Sequence, residues 1–144
     1  MKIYLDFDGT VVEHKYPEMG RCNFGCMEVI KKLQDAGHTI ILNTYRADCN
    51  DGSLDKALSL LNDHSYHLFV DKNNELGLKP ITECTESKIT PWDWNWNRHL
   101  AVNEIFIDDI APGIPLKPCV MISGMMVDWD ELDRQFIKHG LYAL

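Results

Sequence analysis

Apolar positions along the chain fall into short runs that alternate with stretches of helical spacing. Lys2 to Phe7 reads as a strand, Ile-Tyr-Leu with a Phe after the first Asp, and it ends in the turn signal Asp8-Gly9-Thr10. From Asn23 to Ala36 the positions Phe24, Met27, Ile30 and Leu33 predict a helix, with Gly37 where a C-terminal cap belongs. Thr39 to Thr44 is the next strand, apolar enough for burial on both faces, as parallel strands are. A helix with Leu54, Leu58 and Leu61 on one stripe follows, then a third strand over His67-Leu68-Phe69-Val70.

The pattern lapses from Asp71 to about Leu100, with Gly77, Pro80 and Pro91 as breakers. Glu104-Ile105-Phe106-Ile107 restores it as a strand that runs into Asp108-Asp109, and Cys119 to Ile122 is a candidate last strand. Asp128 with Glu131 resembles a capping box opening a helix through Trp129, Leu132 and Phe136 to Gly140. Alternating strands and helices predict an α/β fold with a mostly parallel sheet, as one domain over residues 1–144.

Composition narrows the class. Hydrophobic residues make up 45% and charged residues 25%, the balance of a folded globular protein. No apolar run approaches the roughly 20 residues of a membrane span. Asp6 and Asp8 leave no apolar stretch for a secretory signal at this N-terminus, so the expectation is a cytoplasmic protein. Fourteen basic against twenty-two acidic residues give a net charge of −8, which disfavours extended nucleic acid as a partner. The cysteines Cys22, Cys26, Cys49, Cys84 and Cys119 are odd in number and scattered, which suits reduced thiols.

Ligands of such sheets bind at the carboxyl ends of the strands. The first predicted strand delivers Asp6 and Asp8 there, the second Asn43, Thr44, Tyr45 and Arg46, and the fourth Asp108 and Asp109. A single acidic residue after a strand is usually a turn former or a cap. Two pairs on one sheet edge would repel each other unless a cation sits among them, and all-oxygen ligands favour a hard ion such as Mg²⁺.

Asp6-Phe7-Asp8-Gly9-Thr10-Val11 resembles the first motif of the haloacid dehalogenase superfamily, Asp-x-Asp-Gly-Thr. Thr44 after Ile40-Ile41-Leu42 is similar to its second motif, and Asp108-Asp109 after Ile105-Phe106-Ile107 to its acidic fourth motif. The continuation Val12-Glu13-His14-Lys15-Tyr16-Pro17 resembles small bacterial and phage members of the phosphatase branch. The resemblance implies a Rossmann-like fold and a Mg²⁺-dependent phosphomonoesterase acting on a phosphorylated metabolite or nucleotide. Asp6 would be the nucleophile that becomes an aspartyl-phosphate, and Asp8 the general acid and base. Mg²⁺ would be held by the Asp6 carboxylate, the Asp8 main-chain carbonyl and Asp108, with Asp109 acting through water.

Thr44 would bond a phosphoryl oxygen, and Gly9, Thr10 and Asn43 would line the substrate site. Arg46 either reaches the phosphate or the rest of the substrate, or is a surface arginine. For the basic third motif Arg98 is preferred, ten residues before Asp108, with Lys79 and Lys88 as rivals. Neither insertion point has room for a cap domain, so the site is expected to be open to a bulky substrate or closed by a second subunit.

Trp92, Trp94 and Trp96 alternate, and packing of the long loop, or of a dimer contact, is favoured over a stacking platform beside the site. His14 is placed near the mouth only if it is more than a solvated surface histidine. Two alternatives stand beside the phosphatase: a non-catalytic phosphate-binding or scaffold protein, and a phosphatase acting on nucleic-acid ends. The absence of a cap disfavours a phosphomutase, and Asp8 disfavours a dehalogenase.

Overall fold

The computed structural model describes residues 1–62, 78–83 and 87–144. Four strands form a parallel sheet in the order β3-β2-β1-β4: β1 (Lys2–Leu5), β2 (Thr39–Leu42), β3 (Thr82–Glu83) and β4 (Glu104–Ile107). Helices α1 (Cys26–Asp35), α2 (Arg46–Cys49), α3 (Ser53–Asn62) and α4 (Trp96–Val102) connect them. An antiparallel pair, β5 (Leu116–Pro118) with β6 (Met125–Val127), and helix α5 (Trp129–Lys138) complete the chain. This is a single α/β arrangement, and no helix among the described residues is long and apolar enough to cross a membrane.

Register explains where the chemistry collects. Leu5 lies level with Leu42 on one side and Ile107 on the other, all three fully buried. The next residues along, Asp6, Asn43 and Asp108, therefore leave the sheet together. The Asp6 amide donates to the Ile107 carbonyl at 2.9 Å and the Asn43 amide to the Leu5 carbonyl at 2.7 Å, extending the ladder by one rung. Winding also reverses here: β2 and β3 lie to one side of β1 and β4 to the other, which opens a crevice between β1 and β4.

Ile3, Leu5, Leu42, Ile105 and Ile107 supply the sheet's part of the core, and Ile30, Leu33, Leu61, Leu132 and Phe136 pack against it from α1, α3 and α5. Asp128 caps α5, its carboxylate accepting the Glu131 amide at 3.2 Å, so one of the two capping-box bonds forms while Glu131 pairs with Arg134.

Three expectations change. The α1 stripe starts at Cys26, because Gly25 turns the chain through φ 84°, and Phe24 before it is 77% exposed. Cys119 to Ile122 is the bend of the β5–β6 hairpin and not a strand. The tract without apolar period carries β3 and α4. The third strand expected over His67 to Val70 lies outside the described residues, as does Cys84; the other four cysteines are free thiols.

Candidate active site

Asp6 and Asp108 stand on either side of the crevice, both buried, with the half-buried Asp109 beside them. Carboxylate oxygens of the three lie within 4.8 Å of one another. Lys88 enters between them: its Nζ is 3.0 Å from Asp6 Oδ1 and 2.9 Å from Asp108 Oδ2, and only 4% of its side chain is exposed. Thr10 donates its hydroxyl to Asp6 Oδ2 at 3.0 Å, so both Asp6 carboxylate oxygens are oriented.

The electrostatics follow from burial and crowding. Desolvation pushes the Asp6 carboxyl well above its ordinary range, Asp108 and Asp109 push it further, and Lys88 pulls against them. Asp109 is raised as well, first by desolvation. Burial works to lower the Lys88 pKa, but the two carboxylates outweigh it and leave the ammonium firmly protonated. Asp108 Oδ1 accepts the Ile110 amide at 3.1 Å, whereas Oδ2 has its ion-pair contact with Lys88 but no hydrogen bond of proper geometry. Three crowded carboxylates outnumbering one ammonium, with a buried oxygen short of a hydrogen bond, fit a hard divalent cation. The donor set does not single out Mg²⁺.

Asp8 is held differently. Arg46, whose side chain is 1% exposed, forks onto it with Nε to Oδ2 and Nη2 to Oδ1, both at 2.7 Å. Two further guanidinium hydrogens go to the carbonyls of Ser53 and Glu18, and the rings of Phe7 and Tyr16 lie 5.1 and 5.2 Å from the guanidinium carbon. Arg46 is therefore not a surface arginine, and its guanidinium is committed chiefly to Asp8. Thr44, two residues past β2, lines the same cavity, with its Oγ1 accepting the Arg46 amide at 3.2 Å.

Several sequence assignments are corrected. Arg98 lies exposed on α4, its guanidinium 4.1 Å over the Trp92 ring and away from the carboxylates; Lys88 holds the central basic position. Lys79 is tied to Gln34. Gly9 serves a close approach: its φ is +84°, and a Cβ there would come within 2.4 Å of Asp109 Oδ2. Its amide is already bonded to the Val12 carbonyl at 2.7 Å, which leaves nothing to offer a substrate. Thr10 is fully buried behind Asp6. Asn43 does not face a ligand either, because its amide brackets the main chain of Ile89, accepting its N–H and donating to its carbonyl, each at 2.8 Å.

That bracket positions Lys88. Gln34 grips Lys79 and Asn62 grips Ile81 in the same two-bond manner, so three side-chain amides stitch Lys79, Ile81 and Ile89 onto the fold. Nothing local in the sequence marks these contacts, since each joins residues at least nineteen apart.

Above the carboxylates the cavity holds about 520 Å³ and is walled by His14, Tyr16, Tyr45, Cys49 and Ile110. Tyr45 leaves β2 beside Thr44, whereas nothing local in the sequence marks Tyr16 as a wall of the cavity. The tryptophans, in contrast, pack: Trp94 and Trp96 both donate their indole N–H to Gln135 Oε1, at 2.9 and 2.8 Å, and Trp92 tilts against Phe106.

No protein-family model matches the chain, and no curated protein does. Among solved structures it is similar to a conserved protein from Bacteroides thetaiotaomicron, with a TM-score of 0.56 and 26% identity over 96% of this chain and 89% of that one. That description carries no activity, so the similarity bears on the α/β fold.

Proposed function

We propose that the chain is a phosphomonoesterase of the haloacid dehalogenase type, dependent on a divalent cation, with Mg²⁺ the first choice beside phosphate. The observation that carries this reading is Lys88 held between Asp6 and Asp108 at 3.0 and 2.9 Å, in the cavity that Asp8 and Thr44 share. Turn-forming aspartates would sit exposed. They would not gather a buried ammonium at the crevice between β1 and β4.

In this reading an Asp6 oxygen bonds to phosphorus as the ester bond breaks, and the departing oxygen takes a proton from Asp8. Water then attacks the aspartyl-phosphate and gives its proton to Asp8, releasing inorganic phosphate and restoring Asp6. The Thr44 oxygen is occupied by the Arg46 amide, so its hydroxyl hydrogen is left for a phosphoryl oxygen. Lys88 offsets the charge of nucleophile and phosphate. Asp6, Asp108 and Asp109 would hold the cation, which when bound neutralises the transferring phosphoryl oxygens. Before Asp8 delivers a proton it has to give up at least one arm of the Arg46 fork, so a side-chain movement of Asp8 belongs to the cycle.

The same fork favours a second reading, a phosphate-binding protein without turnover, because it occupies both oxygens of the acid. One assay separates the two. Phosphate release is measured over sugar phosphates, mononucleotides and end-phosphorylated oligonucleotides, with and without Mg²⁺, beside Asp6→Asn. Metal-dependent release that the variant loses supports the enzyme. Binding of phosphate with no release from any compound supports the binding protein.

A further inference from the structure

The cavity's upper walls carry information about the leaving group, and the inference drawn from them rests on the phosphatase reading above. Both basic side chains that line the cavity are committed: Lys88 to Asp6 and Asp108, and Arg46 to Asp8 and two carbonyls. A second phosphate on the substrate would find no unpaired lysine or arginine among the described lining residues. It would meet Asp109 instead, on a protein of net charge −8.

Two of the walls are tyrosine rings. Tyr45 follows Thr44 directly and is 60% exposed, with Lys88 Nζ 4.7 Å from its ring centroid. Tyr16 is pinned at both ends, its hydroxyl 2.6 Å from Asp51 Oδ2 and its ring 5.2 Å from the Arg46 guanidinium carbon. Ile110, 57% exposed, adds an apolar face. Ring faces of this kind offer stacking area that a flat aromatic group fills and a puckered hexose ring does not. A volume of about 520 Å³ lies within the usual range for pockets that enclose a drug-sized ligand.

We propose that the substrate is a monophosphate ester that carries a flat aromatic ring, taken against Tyr45 and Tyr16, and not a hexose phosphate or a polyphosphate. An aryl phosphate and a nucleoside monophosphate share this chemistry and differ in how far the ring stands from phosphorus. Tyr45 is the specificity-determining residue.

The test compares kcat/KM for phenyl phosphate, a nucleoside 5′-monophosphate, a nucleoside 5′-diphosphate and a hexose phosphate in wild type, Tyr45→Ala and Tyr45→Phe. Wild type should favour the better aromatic monophosphate over hexose phosphate and the diphosphate by about ten-fold or more, the scale of one stacking contact. Tyr45→Ala should lower that ratio about ten-fold, and Tyr45→Phe should restore most of it. Whichever of the two aromatic monophosphates leads identifies the source. Equal use of hexose phosphate, or a ratio unmoved in Tyr45→Ala, overturns the proposal while leaving the phosphatase intact. Calorimetric binding of the same compounds to Asp6→Asn keeps the two readings apart. Selective binding of the aromatic monophosphates without any wild-type turnover retains the ligand class and sinks the phosphatase. Failure of Asp6→Asn to prefer them sinks the ligand class.

Discussion

Two ends of the molecule bury polar groups in opposite ways. At the carboxyl edge of β1 and β4, three carboxylates crowd one ammonium, and burial opposes the charges of Asp6 and Asp109. Around α5, Trp94 and Trp96 share the Gln135 oxygen, Trp96 stacks on His139 with ring centroids 4.1 Å apart, and Phe136 closes the cluster. The first region keeps repulsion that folding alone would remove. The second satisfies its indole donors and gains packing from every ring. Stability and chemistry are thereby separated, and substitutions in the two regions should affect different measurements.

The largest expected effect is on rate. Asp6→Asn should lower metal-dependent phosphate release about ten-thousand-fold, the scale of losing a nucleophile. Its thermal midpoint should stay level or rise, because the amide no longer repels Asp108 and Asp109. A variant that retains turnover would remove Asp6 from the nucleophile's role. Phe136→Ala should do the reverse, with a loss of about 3–5 kcal/mol in denaturant unfolding and an unchanged kcat where it remains folded.

His99 makes the aromatic region sensitive to pH. It is buried against Trp94 and Trp96, and desolvation, helped by His139 and Arg98, lowers its pKa from 6.5 to about 4. Between those values the unfolded chain binds the proton that the folded chain refuses. Its contribution is thus complete above pH 6.5 and is lost as pH falls towards 4, by about 3 kcal/mol in all. Unfolding curves of wild type and His99→Phe across that window measure the difference, and parallel pH profiles would show that His99 is not the cause.

Metal should act on the other region alone. A divalent cation at a hundred times its dissociation constant should add about 2.7 kcal/mol to stability. Asp108→Asn should lose most of that gain, whereas Phe136→Ala should keep it; calorimetric melts with Mg²⁺ and with a chelator decide. The smallest effect is at Gly9, where an alanine would hold a left-handed φ at a cost of about 1–2 kcal/mol and press on Asp109. A stability change near zero in Gly9→Ala would mean that the turn relaxes more easily than its geometry suggests.

Much of this arrangement was legible along the chain. Short apolar runs ending in Asp6, Thr44 and Asp108 specify parallel strands and the residues that leave them, because both properties are set within a few positions. Close register then brings those ends together without further instruction. The choice of Lys88 over Arg98 was not legible, since it depends on the Asn43 amide gripping Ile89 across forty-six residues of chain. Nor was the Arg46 fork, for an arginine shortly after a strand reads equally well as a phosphate ligand and as surface charge. The hairpin is not legible for a similar reason: its strands of three residues are too short to show a period, and only their pairing defines them.

By itself, then, the sequence determined the alternation of elements and the acidic pairs that end two of the strands, because local spacing and residue type suffice for both. Tertiary structure alone decided which cation neutralises those acids, which arginine restrains Asp8 and which rings wall the cavity. Those choices rest on contacts between distant segments, whose energies depend on burial and on direction in space, and neither is written into any single stretch of chain.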